Sequence, residues 1–285
     1  MRKVEAIGVA IGNAGRKIGC GRAPYTFLNT LRDRRIDAQI YNYIGGRVEV
    51  PTMQKYFTKV ATKISQVLSE NKFPLVLGGD HSCAIGTWSG VANHLNNFDN
   101  ELGLIWVDAH MDSHRPDTSD TGNIHGMPVA HLLGYGYEEF TKILNDNPKL
   151  KPENIVFFGI RSYEPAEEEF LRELGVKVYF QKDLNSQNFE GLFLEEFDRL
   201  DKATNGNVGI SFDLDGLDPV MMDAVGTPVE NGIQPEVFYE ALSKIDFEKL
   251  ICFEVAEYNP MLDKTGMSLG YMEKVLRLVE GRVKS

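Results

Sequence analysis

Short apolar runs alternate along this chain with longer stretches whose apolar positions recur at helical spacing. Val4 to Ile11 (VEAIGVAI) has the near-continuous apolar character of a buried strand, and the Gly-rich segment Gly12 to Gly21 reads as a polar loop at its carboxyl end. Comparable runs predict strands over Gln39 to Tyr43, Pro74 to Leu77, Leu102 to Val107, Asn154 to Ile160, Val176 to Phe180, Asn207 to Phe212 and Leu250 to Val255. Between them lie helical patterns: Ala23 to Leu31 with Pro24 in the first turn, Tyr56 to about Asn71 with one apolar face, and Cys83 to Leu95. Further helices are expected over Met127 to Gly134, Glu138 to Asn145, around Phe170 to Leu174, over Phe189 to Leu200, around Val237 to Ile245 and around Met272 to Val283. Strands alternating with helices of this length imply a mostly parallel sheet covered on both faces. No linker, repeat or low-complexity tract interrupts the pattern, so residues 1–285 are read as one domain.

Composition narrows the function classes. With 30 Lys and Arg against 41 Asp and Glu, the net charge of −11 argues against a polyanionic partner such as nucleic acid. It suits an enzyme acting on a small, cationic molecule. The three cysteines, Cys20, Cys83 and Cys252, are odd in number and lack CxxC spacing, which points to a reducing cytoplasm. The apolar run after Met1-Arg2-Lys3 is short and leads into Asn13-Ala14-Gly15 rather than a cleavage site, against a secretion signal. No apolar run approaches the roughly 20 residues needed to span a bilayer. The loop Gly12-Asn13-Ala14-Gly15 does not match the spacing of a phosphate cradle.

The chemistry gathers after the strands. Asp108-Ala109-His110-Met111-Asp112 follows the fourth strand and places metal-seeking side chains at every second position, which an extended backbone would project to one side. His81 follows the third strand in Gly78-Gly79-Asp80-His81-Ser82, Asp213 and Asp215 follow the seventh, and Glu257 follows the eighth. In a parallel sheet those ends share one edge, where open α/β sheets bind their ligands. Carboxylates and imidazoles without cysteine favour Mn, Fe, Ni or Zn, and a set this rich suggests two adjacent ions sharing carboxylates. Such a pair makes hydroxide available near neutral pH, so the reaction class is hydrolysis. The polar segment Ser113 to Ile124 is long enough, without structure of its own, to be a functional loop.

Four ordered motifs carry a resemblance over nearly the whole chain: Gly78-Gly79-Asp80-His81-Ser82, Asp108-Ala109-His110-Met111-Asp112, Gly122-Asn123-Ile124-His125-Gly126, and the run from Ser211 to Pro219 (SFDLDGLDP). Together they resemble the signatures of the ureohydrolase family, which includes arginase and agmatinase. The resemblance implies a three-layer α/β/α fold with an eight-stranded, mostly parallel sheet and a centre of two ions, usually Mn2+. By motif, His81, Asp108, Asp112 and Asp213 would hold one ion and His110, Asp108, Asp213 and Asp215 the other, with Asp108 and Asp213 bridging. A hydroxide between the ions would attack the guanidinium carbon, releasing urea and an amine. His125 looks like the family's proton shuttle, and Glu257 and Thr227 look like its guanidinium contacts. Asp215 would assist as a polar partner at the metal.

The loop from Asp112 to His125 has the length and ending of the arginases within this family. There an asparagine and a serine read the substrate's α-carboxylate; here those positions carry His114 and Thr121, with Asn123 close by. His114 is expected to donate an imidazole N–H to the carboxylate. Glu164 occupies the place of the acid that reads the α-amino group, and Ser162 replaces its neighbouring acid. The resemblance therefore implies L-arginine as substrate and a homo-oligomer, trimeric or hexameric. The alternatives are another ureohydrolase (agmatinase, guanidino-acid hydrolase or formimidoylglutamase) and a metal-binding family member without catalysis.

Overall fold

The computed structural model describes residues 2–15, 17–31, 36–97 and 99–284; Arg16, within the predicted Gly-rich loop, lies outside the described residues. The strands are β1 Lys3–Ala10, β2 Asp37–Asn42, β3 Lys72–Gly78, β4 Gly103–Val107, β5 Ile155–Ile160, β6 Lys177–Phe180, β7 Val208–Asp213 and β8 Leu250–Ala256. They form one eight-stranded sheet in the order β2-β1-β3-β8-β7-β4-β5-β6, each neighbouring pair parallel. The helices are α1 Ala23–Leu31, α2 Val50–Ser69, α3 Cys83–Asn96, α4 Pro128–Leu132, α5 Glu138–Thr141, α6 Pro165–Glu173, α7 Phe189–Thr204, α8 Pro235–Lys244 and α9 Met267–Lys284.

Side chains alternate across each strand, and that alternation builds two cores. Val4 and Ala6 of β1 join Phe27 of α1, Phe193 of α7, Phe238 of α8 and Val275 of α9 on one face of the sheet. Ile7 and Val9 join Phe57 of α2, Trp88 of α3, Val129 of α4 and Phe140 of α5 on the other. The expected α/β class and three layers are what the chain forms. Among the described residues no helix is long and apolar enough to cross a membrane.

Among the element boundaries that differ from the sequence pattern, two have a visible local cause. Helix α2 starts at Val50, ahead of Tyr56, because Pro51 sits in its first turn where a missing N–H costs nothing. Helix α5 stops at Thr141 rather than Asn145. The Lys149 ammonium donates to the carbonyls of Thr141, Asn145 and Asn147 at 2.6–3.0 Å, which diverts acceptors that a continuing helix would use. Leu144 is left-handed there, with φ 63°.

The strand order matters most for function. Strands β3, β8, β7 and β4 lie side by side, so the segments that follow them emerge at neighbouring points of one edge. Close backbone contact fixes their spacing. The Asp80 N–H donates to Ile11 O (2.9 Å) and the Glu257 N–H to Gly79 O (2.8 Å), tying the ends of β1, β3 and β8 together. A Cβ on Gly79 would stand 1.7 Å from Ile11 O, so only glycine fits there.

Two predictions follow from these contacts. Gly79→Ala should lower stability by about 2–3 kcal/mol, the cost of forcing backbone apart in a packed site, read from urea unfolding midpoints. His131 of α4 is buried between Tyr137 and Phe140, its Nδ1 bonds Met127 O (2.8 Å), and burial pushes its pKa down to about 4. An unfolded histidine titrates near 6.5, so the unfolded chain takes up the proton first. Stability from this site is complete above about pH 6.5 and is lost as pH falls towards 4, by about 3 kcal/mol. His131→Gln should flatten that part of the pH–stability curve; an unchanged slope would contradict the assignment.

Candidate metal centre

The residues singled out after β3, β4, β7 and β8 converge as expected, but not by one extended strand. The chain past β4 stays extended through His110, which bridges to Ser162, and then Asp112 turns left-handed with φ 47°. That turn swings Asp112 away from His110 and towards His81. Glu257 is left-handed as well, with φ 62°. Both conformations are strained for side chains of this kind, and such strain gathers where function needs a particular direction.

His81 is the centre of the first group. Its Nδ1 lies 2.9 Å from Asp213 Oδ2, 3.1 Å from Asp108 Oδ2 and 3.2 Å from Asp112 Oδ2. None of these contacts has hydrogen-bond geometry, so Nδ1 is a buried nitrogen without a partner. The other nitrogen, Nε2, lies 2.9 Å from Ser211 Oγ, whose hydroxyl donates to Glu254 Oε1 (2.8 Å). With its hydroxyl proton committed to Glu254, Ser211 accepts from Nε2–H, which leaves a lone pair on Nδ1 of the neutral ring. A lone pair aimed at three carboxylate oxygens calls for a cation between them. Ligand atoms about 2.1 Å from an ion and at right angles to one another stand about 3.0 Å apart, the spacing observed here. Trp106 stacks on the His81 ring at 4.1 Å and its indole N–H donates to Asp108 Oδ2 (2.9 Å), fixing both groups.

The second group shares Asp108. His110 Nδ1 lies 3.4 Å from Asp108 Oδ1 and 3.3 Å from Asp215 Oδ2. Asp108 thus turns one oxygen to each group. Asp213 offers Oδ2 to His81 and receives the Asp215 N–H on Oδ1 (2.7 Å), while the Thr227 hydroxyl donates to Asp215 Oδ2 (3.0 Å). His81, Asp108 and Asp213 form one possible cation site by spacing, and Asp108, His110 and Asp215 a second.

The electrostatics give the same answer. Burial pushes the carboxyls of Asp112 and Asp213 up, reinforced by neighbouring carboxylates, Asp112 to about 6. Burial acts the same way on Asp108, yet His110 and His81 outweigh it and hold Asp108 well below the usual range. Burial disfavours a charge on His81, and the carboxylates around it overcome that and raise it strongly. The chain alone must hold protons here to limit repulsion. A bound cation replaces them.

Beside the cluster, His125 Nδ1 pairs with Glu257 Oε1 at 2.9 Å, and the same oxygen accepts the His81 N–H (2.9 Å). Burial opposes the charge on His125, but Glu257 prevails and lifts it to about 9, so the imidazole carries its proton at neutral pH. The loop before α1 covers this pair: the His125 N–H donates to Ala14 O, the Ala14 N–H donates to Asp80 Oδ2, and a Cβ on Gly15 would crowd His125.

A cavity of about 240 Å³ opens over the cluster and is lined by His110, Asp112, Asp213, Asp215, His125, Thr227 and Glu257 together with His114, Thr121, Asn123, Ser162, Glu164 and Glu167. Every residue expected to meet substrate therefore borders one space. His114 differs from expectation in what it touches. Its Nε2 lies 2.7 Å from Glu164 Oε2 and its Nδ1 faces Thr118 Oγ1 at 3.2 Å, so its nitrogens are engaged within the protein.

Sequence reading missed Ser211, Glu254, Trp106 and Glu167. Glu254 carried a signal, because a carboxylate inside the apolar run of β8 requires an internal partner. Glu167 could have been read as the N3 acid of a helix start, where its side chain accepts the Glu164 N–H (3.1 Å).

Removing Ser211 leaves His81 Nε2–H without an acceptor. Ser211→Ala should weaken divalent-cation binding roughly 10–100-fold by calorimetry. Ser89→Ala, which deletes a buried hydroxyl that has no partner, should leave it unchanged.

The family model for the arginase family matches residues 4–279. Arginase of Bacillus subtilis is 44% identical over 212 residues, covering 73% of this chain and 70% of that protein. Arginase of Staphylococcus aureus is 31% identical over 283 residues, covering 92% and 91%. The crystal structure of arginase from Bacillus subtilis superposes with a TM-score of 0.88 at 33% identity, covering 98% of this chain and 99% of that one. With its motifs, sheet order and clustered carboxylates and imidazoles in agreement with these matches, the chain belongs to the arginase family and is a hydrolase of the ureohydrolase class.

Proposed function

We propose that this protein hydrolyses L-arginine to L-ornithine and urea, using two divalent cations, manganese by family resemblance. The observation that carries the reading is one cavity bordered together by a cation-demanding cluster, a His125–Glu257 pair, and further acids and hydroxyls. His81, Asp108, Asp112 and Asp213 would hold one ion, and His110, Asp108, Asp213 and Asp215 the other. When bound, the pair supplies hydroxide near neutral pH.

The remaining work belongs to side chains. Glu257 carries negative charge at the cavity wall and orients the guanidinium by a charge-assisted contact, with Thr227 beside it. The water oxygen bonds to the guanidinium carbon and the bond from that carbon to the alkyl nitrogen breaks. His125 has Nδ1 on Glu257, so Nε2 is the nitrogen that passes a proton to the departing amine. On the cavity wall Thr121 offers a hydroxyl. Asn123 has its carbonyl oxygen taken by Arg47 Nη2 (2.7 Å), which turns its amide N–H donors elsewhere, and both residues line the cavity as donors for an α-carboxylate. These donors favour arginine over agmatine.

The same reading carries a homo-oligomer, trimeric or hexameric, in the cytoplasm, and residues 1–285 as one domain. The three cysteines are all free and buried, as in a reducing compartment.

Manganese-loaded protein offered L-arginine should yield urea and ornithine, identified by mass; turnover of only another guanidine would overturn the arginine assignment. His125→Asn should lower kcat by about 10²–10⁴-fold with manganese content unchanged. Asp213→Asn should lower both metal content and activity, and full activity in that variant would contradict the two-ion site.

A further inference from the structure

The surroundings of His114 in the cavity are built differently from the expectation that His114 reads a carboxylate. His114 Nε2 stands 2.7 Å from Glu164 Oε2 and 3.4 Å from Glu167 Oε2. Two carboxylate oxygens converge on one ring nitrogen, so that nitrogen carries a hydrogen and donates. Nδ1 is occupied by the Thr118 hydroxyl, which also accepts the Arg115 N–H (2.9 Å). No N–H of this ring is left for a substrate carboxylate.

Glu164 shows what the ring does instead. Its side chain is 67% exposed at the start of α6, where it takes part in a capping box with Glu167, and the His114 N–H is the donor that holds it from the cavity side. Glu167, by contrast, is buried and fixed by the N–H groups of Ser113 (3.1 Å) and Glu164 (3.1 Å). Both acids and His114 line the same cavity as the cluster. Burial pushes Glu167 up to about 8, so the negative charge at that place sits on Glu164, which accepts hydrogen bonds and attracts a cation. It matches an ammonium and repels a carboxylate.

Resting on the arginine reading, we propose that His114 is a positioning residue for the ammonium end of the substrate: its imidazole pins Glu164 over the cavity as the acceptor for the substrate's primary amine. Carboxylate recognition is left to Thr121 and Asn123. The two ends of the amino acid are thus read by separate groups, and His114 works on the amine side.

Three guanidines separate the possibilities. L-Arginine carries both groups, agmatine carries the amine alone, and 5-guanidinopentanoate carries the carboxylate alone. In the manganese-loaded enzyme His114→Ala should raise KM about 10-fold for arginine and for agmatine, leave 5-guanidinopentanoate within about twofold, and leave kcat within about twofold for all three. Unchanged handling of 5-guanidinopentanoate also shows that the variant is folded. His114→Gln, which retains an N–H donor, should bring KM for arginine back to within about threefold of wild type. Loss on arginine and 5-guanidinopentanoate with agmatine spared would overturn the proposal in favour of carboxylate reading, and equal loss on all three, or none, would overturn it too. A wild-type enzyme that hydrolyses none of the three would overturn the arginine reading and this proposal with it, whereas an active wild type with the wrong pattern overturns only the role of His114.

Discussion

Four carboxylates, Asp108, Asp112, Asp213 and Asp215, are taken out of water at one edge of the sheet within reach of two imidazoles, and the rest of the molecule accommodates that concentration of charge. Like charges this close cannot all ionise in a buried site without positive charge between them. The protein supplies part of the answer as fixed donors: the Trp106 indole to Asp108, the Asp215 amide to Asp213, the His110 amide to Asp108 and the Thr227 hydroxyl to Asp215. What these donors leave unmet is the His81 Nδ1 lone pair and the oxygens around it. The chemistry of the site is that unmet demand, which bound cations would satisfy.

Sheet topology makes the arrangement affordable in geometry. The acids arise on segments more than a hundred residues apart in sequence, from Asp108 to Asp215, yet β4 and β7 are neighbours and β3 and β8 complete a contiguous set. Parallel strands deliver their carboxyl ends to one edge, so each loop starts from a rigid point. The loops then need only short excursions, and two of them use left-handed residues, Asp112 and Glu257, to aim a carboxylate. Behind the site, Ser211 and Glu254 occupy strand interiors rather than loops. A histidine held from the sheet keeps its tautomer better than one held from a mobile segment.

Much of this was legible in the chain. All eight strands follow from apolar runs, and the placement of His81, Asp108, Asp213 and Glu257 after them follows from counting. Strand order was not legible, because periodicity says that an element exists and not which element it pairs with. The direction of Asp112 was also hidden, since alternate positions share a face only while the backbone stays extended, and here it turns at Asp112 itself. His114 shows the limit of reading residue by residue. Its donor capacity is plain from its type, but whether that donor meets substrate or Glu164 depends on where α6 begins. The end of α5 was set by Lys149, a residue that the helical pattern does not include.

The most direct test of the account is anomalous diffraction from crystals of this protein soaked in manganese. Two peaks are predicted, one among His81, Asp108, Asp112 and Asp213 and the other among His110, Asp108, Asp213 and Asp215, with Asp108 touching both. A single peak, or peaks away from these residues, would contradict the two-cation centre on which the functional reading stands.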